Sequence, residues 1–172
     1  MSEKPKVPPP KKRDTGEKLI VANKRASFDF HLEKRFEAGI VLLGSEVKSC
    51  RQGGVQLVDA YATFERDGLY LQKANIGEYK QAGPYQNHVP IRRRKLLLHK
   101  REIAELREAS ERSGYTLIPV RLYFKAGKVK LELALARGKT KGDKRVSAAE
   151  KDMKRNVQAA VRRERKTHSF DD

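Results

Sequence analysis

The sequence predicts a mainly β protein, a small closed antiparallel barrel of six strands with two or three helices and a basic C-terminal tail. Three observations carry that expectation. Two stretches, DAYATFERDGLYLQKANI and IPVRLYFKAGKVKLELALARG, alternate apolar and polar residues on both sides of a turn dipeptide, Asp67-Gly68 and Ala126-Gly127. Between them only HKREIAELREASERS has helical spacing, and after Ala136 the chain turns almost wholly polar and charged.

In chain order, residues 1–17 form an arm in which Pro8, Pro9 and Pro10 stand among basic residues, a composition with no core of its own. The barrel is expected over residues 18–136. SFDFHLE, with Phe28, Phe30 and Leu32 on one side, and EAGIVLLG, bounded by Gly39 and Gly44, read as its first two strands. SEVKSCRQGG reads as a short helix with Ser45 as N-cap, Glu46 in the first turn and Gly53-Gly54 as the stop. The first hairpin puts Ala60, Ala62 and Phe64 on the buried face. A loop punctuated by Gly77, Gly83, Pro84 and Pro90 follows, then a helix ended by Gly114 whose apolar stripe is Ile103 and Leu106, with Leu96 upstream. The second hairpin buries Ile118, Val120, Leu122, Phe124, Val129, Leu131, Leu133 and Leu135, and turns Arg121, Tyr123, Lys125, Lys130 and Glu132 to a basic, wet face. Six strands with one inserted helix favour an OB-fold-like barrel over a sandwich.

The tail, residues 137–172, carries a capping box at Ser147 to Glu150, so a helix is expected over about 148–166. Its apolar stripe of Ala149, Met153, Val157, Ala160 and Val161 is thin, and its cations repel one another. Such a segment is disordered or partly helical alone and folds against a polyanion.

Charge points to the same kind of partner. The formal net charge is +17. Residues 19–136 hold 21 Lys+Arg against 13 Asp+Glu, and residues 137–166 hold 12 against 4, so the tail alone matches the excess of the barrel. A balance this basic favours nucleic acid over membrane. The single Cys50 excludes an internal disulfide, and with His31, His88, His99 and His168 it makes no zinc spacing. The N-terminus has no apolar signal region and no aliphatic run is long enough to span a bilayer, which leads to the expectation of a cytoplasmic protein.

The carboxylates Glu37, Glu46, Asp59 and Asp67 show no catalytic spacing, and no phosphate loop or nucleophile elbow is present, so no enzyme, cofactor or metal is expected. RNA contact is better supported. Arg92, Arg93, Arg94 and Lys95 form a run of phosphate-seeking charge anchored by Leu96 to Leu98, and Asn23, Lys24 and Arg25 form a smaller cluster. His99 stands three residues before Glu102, as an N-cap would. Tyr61, Tyr70, Tyr79, Tyr85, Tyr115 and Tyr123 are candidate stacking platforms or part-buried strand residues. An RNA adaptor, a general ribosomal or cold-shock-like barrel and a metal-dependent nuclease are the competing classes.

NKRA at Asn23 to Ala26, FEAGIVLLGSEVKSCR at Phe36 to Arg51, RRRKLLLHKREI at Arg92 to Ile103 and ARGKTKGDKR at Ala136 to Arg145 resemble the SsrA-binding protein (SmpB) family, in register from about Lys18 to Arg145. The resemblance implies an OB-type barrel that binds the tRNA-like domain of bacterial tmRNA. It further implies promotion of tmRNA alanylation, delivery with elongation factor Tu, and entry into stalled ribosomes, where the tail occupies the decoding centre and the empty mRNA channel. Alanyl-tRNA synthetase and the elongation factor are then indirect partners through tmRNA, and the bound protein is expected to be a monomer away from membranes. The family's tmRNA-binding positions fall on Asn23, Glu37, Leu97 and His99, and its decoding-site positions on Asp143, Lys144 and Arg145, with Lys151, Met153, Lys154, Arg155 and Val157 in the channel-bound tail. Many members have a histidine or aromatic residue just before that aspartate, where this chain has Gly142.

Overall fold

Two eleven-residue strands, β8 (Tyr115–Lys125) and β9 (Lys128–Gly138), form the hairpin expected around Ala126-Gly127. Both turn residues have positive φ, 48° and 75°, as a two-residue hairpin turn requires. The computed structural model describes residues 16–83, 86–111, 114–140, 142–143, 153 and 156–157. Ahead of the hairpin come β1 (Glu17–Ala22), α1 (Ala26–Asp29), β2 (Phe30–Ile40), α2 (Gly44–Arg51), β3 (Val55–Gln56), β4 (Tyr61–Glu65), β5 (Gly68–Gln72), β6 (Asn75–Ile76), β7 (Arg94–Leu97) and α3 (Lys100–Glu111). No helix among the described residues is long and apolar enough to cross a membrane.

All strand neighbours in the main sheet are antiparallel, and the order β8-β4-β5-β7-β2-β9 closes because β9 pairs back to β8. The ring therefore has the expected six strands, in an OB-like barrel, but not the six expected segments. SFDFHLE and EAGIVLLG are not two strands. Ala26–Asp29 makes a helical turn, and one long strand, β2, runs through both segments with a bulge between Leu32 and Arg35. The extra residue exchanges faces, so Phe30 and Leu32 pack outside against Ala26, Ile118 and Ala136 while Phe36 and Ala38 point into the barrel. The sixth strand is β7, from a stretch read as a charged loop. Strand β1, read as the start of the barrel without a strand of its own, adds to the free edge of β8 beyond the ring.

The second hairpin departs from strict alternation for the same reason. A bulge between Pro119 and Arg121 lets Leu117 and Leu122 both face the core, and Ile118 lies under α1 instead. That irregularity falls where the outer edge of β8 changes neighbour, from β4 at Leu117 to β1 at Arg121. Asn23 fills the corner. Its amide nitrogen donates to the carbonyls of Leu57 and Pro119, each at 3.1 Å, its Oδ1 accepts from Ala26 N, and its backbone N–H donates to Val120. The joint between β4 and β8 is a single register pair, Ala62 with Leu117, beside a cavity of about 340 Å³.

The barrel is filled by Leu69, Leu71, Leu96, Leu131 and Leu133, each at most 2% exposed, and α3 caps it with Leu106. Each such leucine contributes about 1.5–3 kcal/mol on removal from water. The buried interior also holds charge. Glu46 and Arg94 are both 0% exposed. Arg94 Nε donates to Glu46 Oε1 at 2.8 Å, and its other nitrogens donate to the carbonyls of Ala74, Pro90 and Arg92. Arg92 grips the same carboxylate through Nε at 2.8 Å and through Nη2. The fourth donor is Leu43 N–H at 2.7 Å. Leu43, not Ser45, is therefore the N-cap of α2, while the Ser45 hydroxyl meets His88 Nδ1 at 3.0 Å. Burial pushes the Glu46 carboxyl upward, but Arg92, the Leu43 amide and Arg94 together hold it below the ordinary carboxylate range. Beside it, burial pushes the Cys50 thiol up to about 11.

Substituting Glu46→Gln strands two guanidinium groups and is expected to destabilise the fold by about 3–5 kcal/mol near neutral pH, read by urea unfolding. The folded carboxyl ionises below the unfolded value of about 4.3, so its stabilisation is complete above that value and is lost as pH falls through the folded one. The gap between parent and variant should close only in acid.

Candidate nucleic-acid interface

The clearest concave surface lies at the turn end of the β8–β9 hairpin, a groove of about 780 Å³. It is built where β2 leaves β9 and picks up β7. Gly39 lies opposite both Lys130 and Leu97, and a Cβ there would sit 3.3 Å from that of Leu97, so glycine lets the strands meet closely. Glu37 lines one wall, Leu97 and His99 the other, and Lys128 and Lys130 rise from β9. Residues separated by some sixty positions thus face one another, and three of the four family-implied tmRNA positions converge.

Leu97 is 54% exposed, an apolar side chain held open to solvent by the alternation of a strand whose other face is core. His99 N–H donates to Glu102 Oε2 at 3.0 Å, which realises half of a capping box at the start of α3 and leaves the exposed ring available to the groove. Glu37 Oε2 accepts from Tyr123 Oη at 2.7 Å and from Lys125 Nζ at 2.6 Å, with Lys130 Nζ at 3.9 Å from Oε1. Lys125, Tyr123 and then Lys130 hold the Glu37 carboxyl below its usual range, and burial together with Glu37 pushes the Tyr123 phenol well up. The carboxylate is thus ionised and fixed, able to accept from an amino group or a 2′-hydroxyl, while the lysines offer charge to phosphate.

The outer face of this hairpin is charge-paired, not simply basic. Glu132 accepts from Arg35 at 2.8 Å and from Arg121, which also reaches Glu17 at 3.3 Å. The arginine run is likewise engaged. Arg94 is in the core, Arg92 is half-buried on Glu46, Arg93 donates to Glu65 at 2.7 Å and Lys95 to Asp67 at 3.1 Å. Arg93 and Lys95 also flank the Tyr70 ring, at 5.5 and 5.8 Å from its centroid. The reading of Arg92 to Lys95 as a loop of free phosphate-seeking cations is therefore corrected in two respects: the stretch enters strand β7, and Arg92 and Arg94 are held on the buried Glu46, while Arg93 and Lys95 keep solvent-exposed charge beside surface carboxylates. Arg94 has no surface with which to touch RNA.

Asn23 does not join the groove. With Arg25 it lines a second cavity of about 390 Å³, along with Asp59, Tyr61 and Ile118. This lies toward the other end of β8, about 30 Å from the hairpin turn at strand rise. The amide of Asn23 is spent on backbone carbonyls, whereas Lys24 and Arg25 stay exposed, Arg25 at 3.9 Å from Asp29. The four carboxylates weighed for catalysis are dispersed among the core, both cavities and the β4–β5 turn, and no group of three or more His, Cys, Asp or Glu among the described residues is arranged to hold a metal. Lys128 went unnoticed as a groove residue, and Lys125 and Lys130 were read only as part of a basic, wet face. Tyr85, Lys144, Arg145, Lys151, Lys154 and Arg155, the arm before Gly16 and the capping box at Ser147 lie outside the described residues. Met153 and Val157 are helical, 71% and 55% exposed.

A closed antiparallel barrel with a mixed acid and lysine groove at one end and a charged C-terminal extension defines a basic barrel protein of the oligonucleotide-binding type. The SmpB protein family model matches residues 20–163, and the chain belongs to that family. It is 49% identical over 156 residues to an SsrA-binding protein of Acidothermus cellulolyticus, spanning 91% of this chain and 98% of that one. It is 48% identical over 151 residues to the SsrA-binding protein of Bifidobacterium longum, spanning 87% and 95%. A solved structure described as "tmRNA-SmpB: a journey to the center of the bacterial ribosome" is similar with a TM-score of 0.60 at 44% identity, over 70% of this chain and 85% of that one.

The groove electrostatics can be read directly. In Tyr123→Phe the Glu37 carboxyl loses one of its two shortest donors, so its titration, followed by carbon-13 NMR, should move up toward the ordinary glutamate value. An unchanged midpoint would mean that the phenol contributes nothing to it.

Proposed function

We propose that this protein is a non-catalytic RNA adaptor of trans-translation, working in the cytoplasm as a monomer when bound. The barrel binds the tRNA-like domain of tmRNA through the groove of Glu37, Leu97 and His99, with Lys125, Lys128 and Lys130 toward phosphate. The observation that carries this is the convergence in one groove of three residues from two distant parts of the chain, in a member of the SmpB family. The proposal extends to promoting tmRNA aminoacylation by alanyl-tRNA synthetase and delivery with elongation factor Tu, both reached through tmRNA. In a stalled ribosome the tail, from Asp143, Lys144 and Arg145 through Lys151, Met153, Lys154, Arg155 and Val157, takes the decoding centre and the vacant mRNA channel.

The exposure of Met153 and Val157 supports that division of labour, since apolar groups held away from the barrel are available to another surface. The barrel ends two residues later than the sequence suggested. Ala136 is 0% exposed and Gly138 pairs with Phe30, so a clean truncation must keep β9 whole. A chain ending at Asp143 should bind tmRNA within a few-fold of the parent in filter binding while losing tagging on stalled ribosomes. Loss of tmRNA binding would instead make the tail an RNA clamp. Replacing Lys128 and Lys130 by Ala should lower the salt slope of tmRNA binding by about 0.7–0.9 per phosphate contact removed, with folding unchanged by circular dichroism. An unchanged slope excludes these lysines from the interface.

A further inference from the structure

The junction between barrel and tail is a built structure, and the proposed tail function assigns no role to most of it. After Gly138, the backbone N–H of Lys139 donates to the carbonyl of Asp29 at 2.9 Å and its Nζ donates to that of Ser27 at 3.0 Å, which ties the chain to the end of α1. The next residue, Thr140, forms a reciprocal pair with Asp143. Asp143 Oδ2 accepts from Thr140 N–H at 3.1 Å and from its hydroxyl at 2.8 Å, while Asp143 N–H donates to Thr140 Oγ1 at 3.3 Å. This is a capping box, and Gly142 and Asp143 already have helical backbone. His31, projecting from β2, brings Nε2 to 3.6 Å from the same Asp143 oxygen.

We infer that Thr140, Asp143 and His31 form a latch that fixes where the tail helix starts and the direction in which it leaves the barrel. Thr140 and His31 are positioning residues. Asp143 is the member of the latch that also heads the segment proposed for the decoding centre, so the latch sets the position from which that segment departs. Lys139 supplies the fixed side of the latch, because both its donors end on the backbone of α1. A glycine second in the turn weakens a helix by backbone entropy, and the Thr140–Asp143 pair offsets that weakness locally. A Cβ at Gly142 would lie 3.7 Å from Thr140 Oγ1, ordinary contact, so the latch does not require glycine there.

The inference rests on the adaptor reading for its functional half only, and the experiment separates the two. In the full-length protein, Thr140→Val keeps shape and removes the hydroxyl, and Thr140→Ser keeps the hydroxyl. Amide exchange at Asp143 should be faster by about fivefold in Thr140→Val, the usual loss for a missing cap, and return to the parent rate in Thr140→Ser. His31→Ala should speed it in the same direction. On stalled ribosomes Thr140→Val should tag poorly and Thr140→Ser normally, with tmRNA affinity unchanged in both. Unchanged exchange in Thr140→Val overturns the latch, and so does a tagging defect that Thr140→Ser fails to rescue, since the hydroxyl would then not be the acting group. Faster exchange with normal tagging overturns its functional half. A parent protein that tags nothing would refute the adaptor reading, and the exchange measurements would still decide the latch.

Discussion

Glu46 and Arg94 are each fully withdrawn from water, so neither is tolerable without the other, and the parts of the barrel near the groove are arranged to keep them together. The carboxylate comes from the first turn of α2 and the guanidinium from the first residue of β7. Joining them fixes the helix against the strand, and the remaining arginine donors fix the carbonyls of Ala74 and Pro90, the two ends of a connection with little regular structure. His88 reinforces the same tie by bonding Ser45 on one nitrogen and the Ile76 carbonyl on the other. With β7 held in register, Leu97 falls opposite Gly39 and His99 starts α3 at the groove edge. A buried ion pair is weak evidence for added stability, and register is the use for which such pairs are best attested.

The surface charge has two distinct regimes. On the barrel, most of the notable cations found a carboxylate, as Arg35 and Arg121 did on Glu132, so its affinity for a polyanion depends on local geometry more than on net charge. In the groove this produces directionality. A phosphate would be attracted by Lys128 and Lys130 and repelled by Glu37 and Glu102, so only a ligand presenting phosphate on one side and donors on the other suits it. The tail's excess charge is of the other kind, a dense row of cations with few acids beside it in sequence.

Much of this was legible beforehand, and the failures share a cause. The hairpins at Asp67-Gly68 and Ala126-Gly127 were readable because turn chemistry and period-two alternation are local. The helix α3 was likewise marked by its own stripe and stop. What local pattern could not show was a bulge, because one extra residue in β2 or β8 looks like continued alternation until the partner strand is known. Nor could it show that the arginine run meets Glu46, Glu65 and Asp67, which lie 28 to 48 positions away. Asn23 was ambiguous between base contact and structural corner, and three backbone partners decide for the corner. Glu37 and Leu97 were assigned to RNA by family resemblance, His99 was also weighed on its own residues, and composition would never have put the three in one groove. The Thr140–Asp143 pair was passed over because Thr140-x-x-Asp143 carries aspartate where a capping box usually carries glutamate or glutamine.

The seam between β4 and β8 gives the ring an uneven character. Strands β8 and β9 are joined along their whole length and β4 and β5 along theirs, yet the ladder between β4 and β8 has the one register pair of Ala62 with Leu117. Drawing Tyr61–Glu65 away from β8 would break few ladder bonds but would bring the buried Ala62 and Leu117 into water, so the seam is kept shut by packing more than by hydrogen bonds.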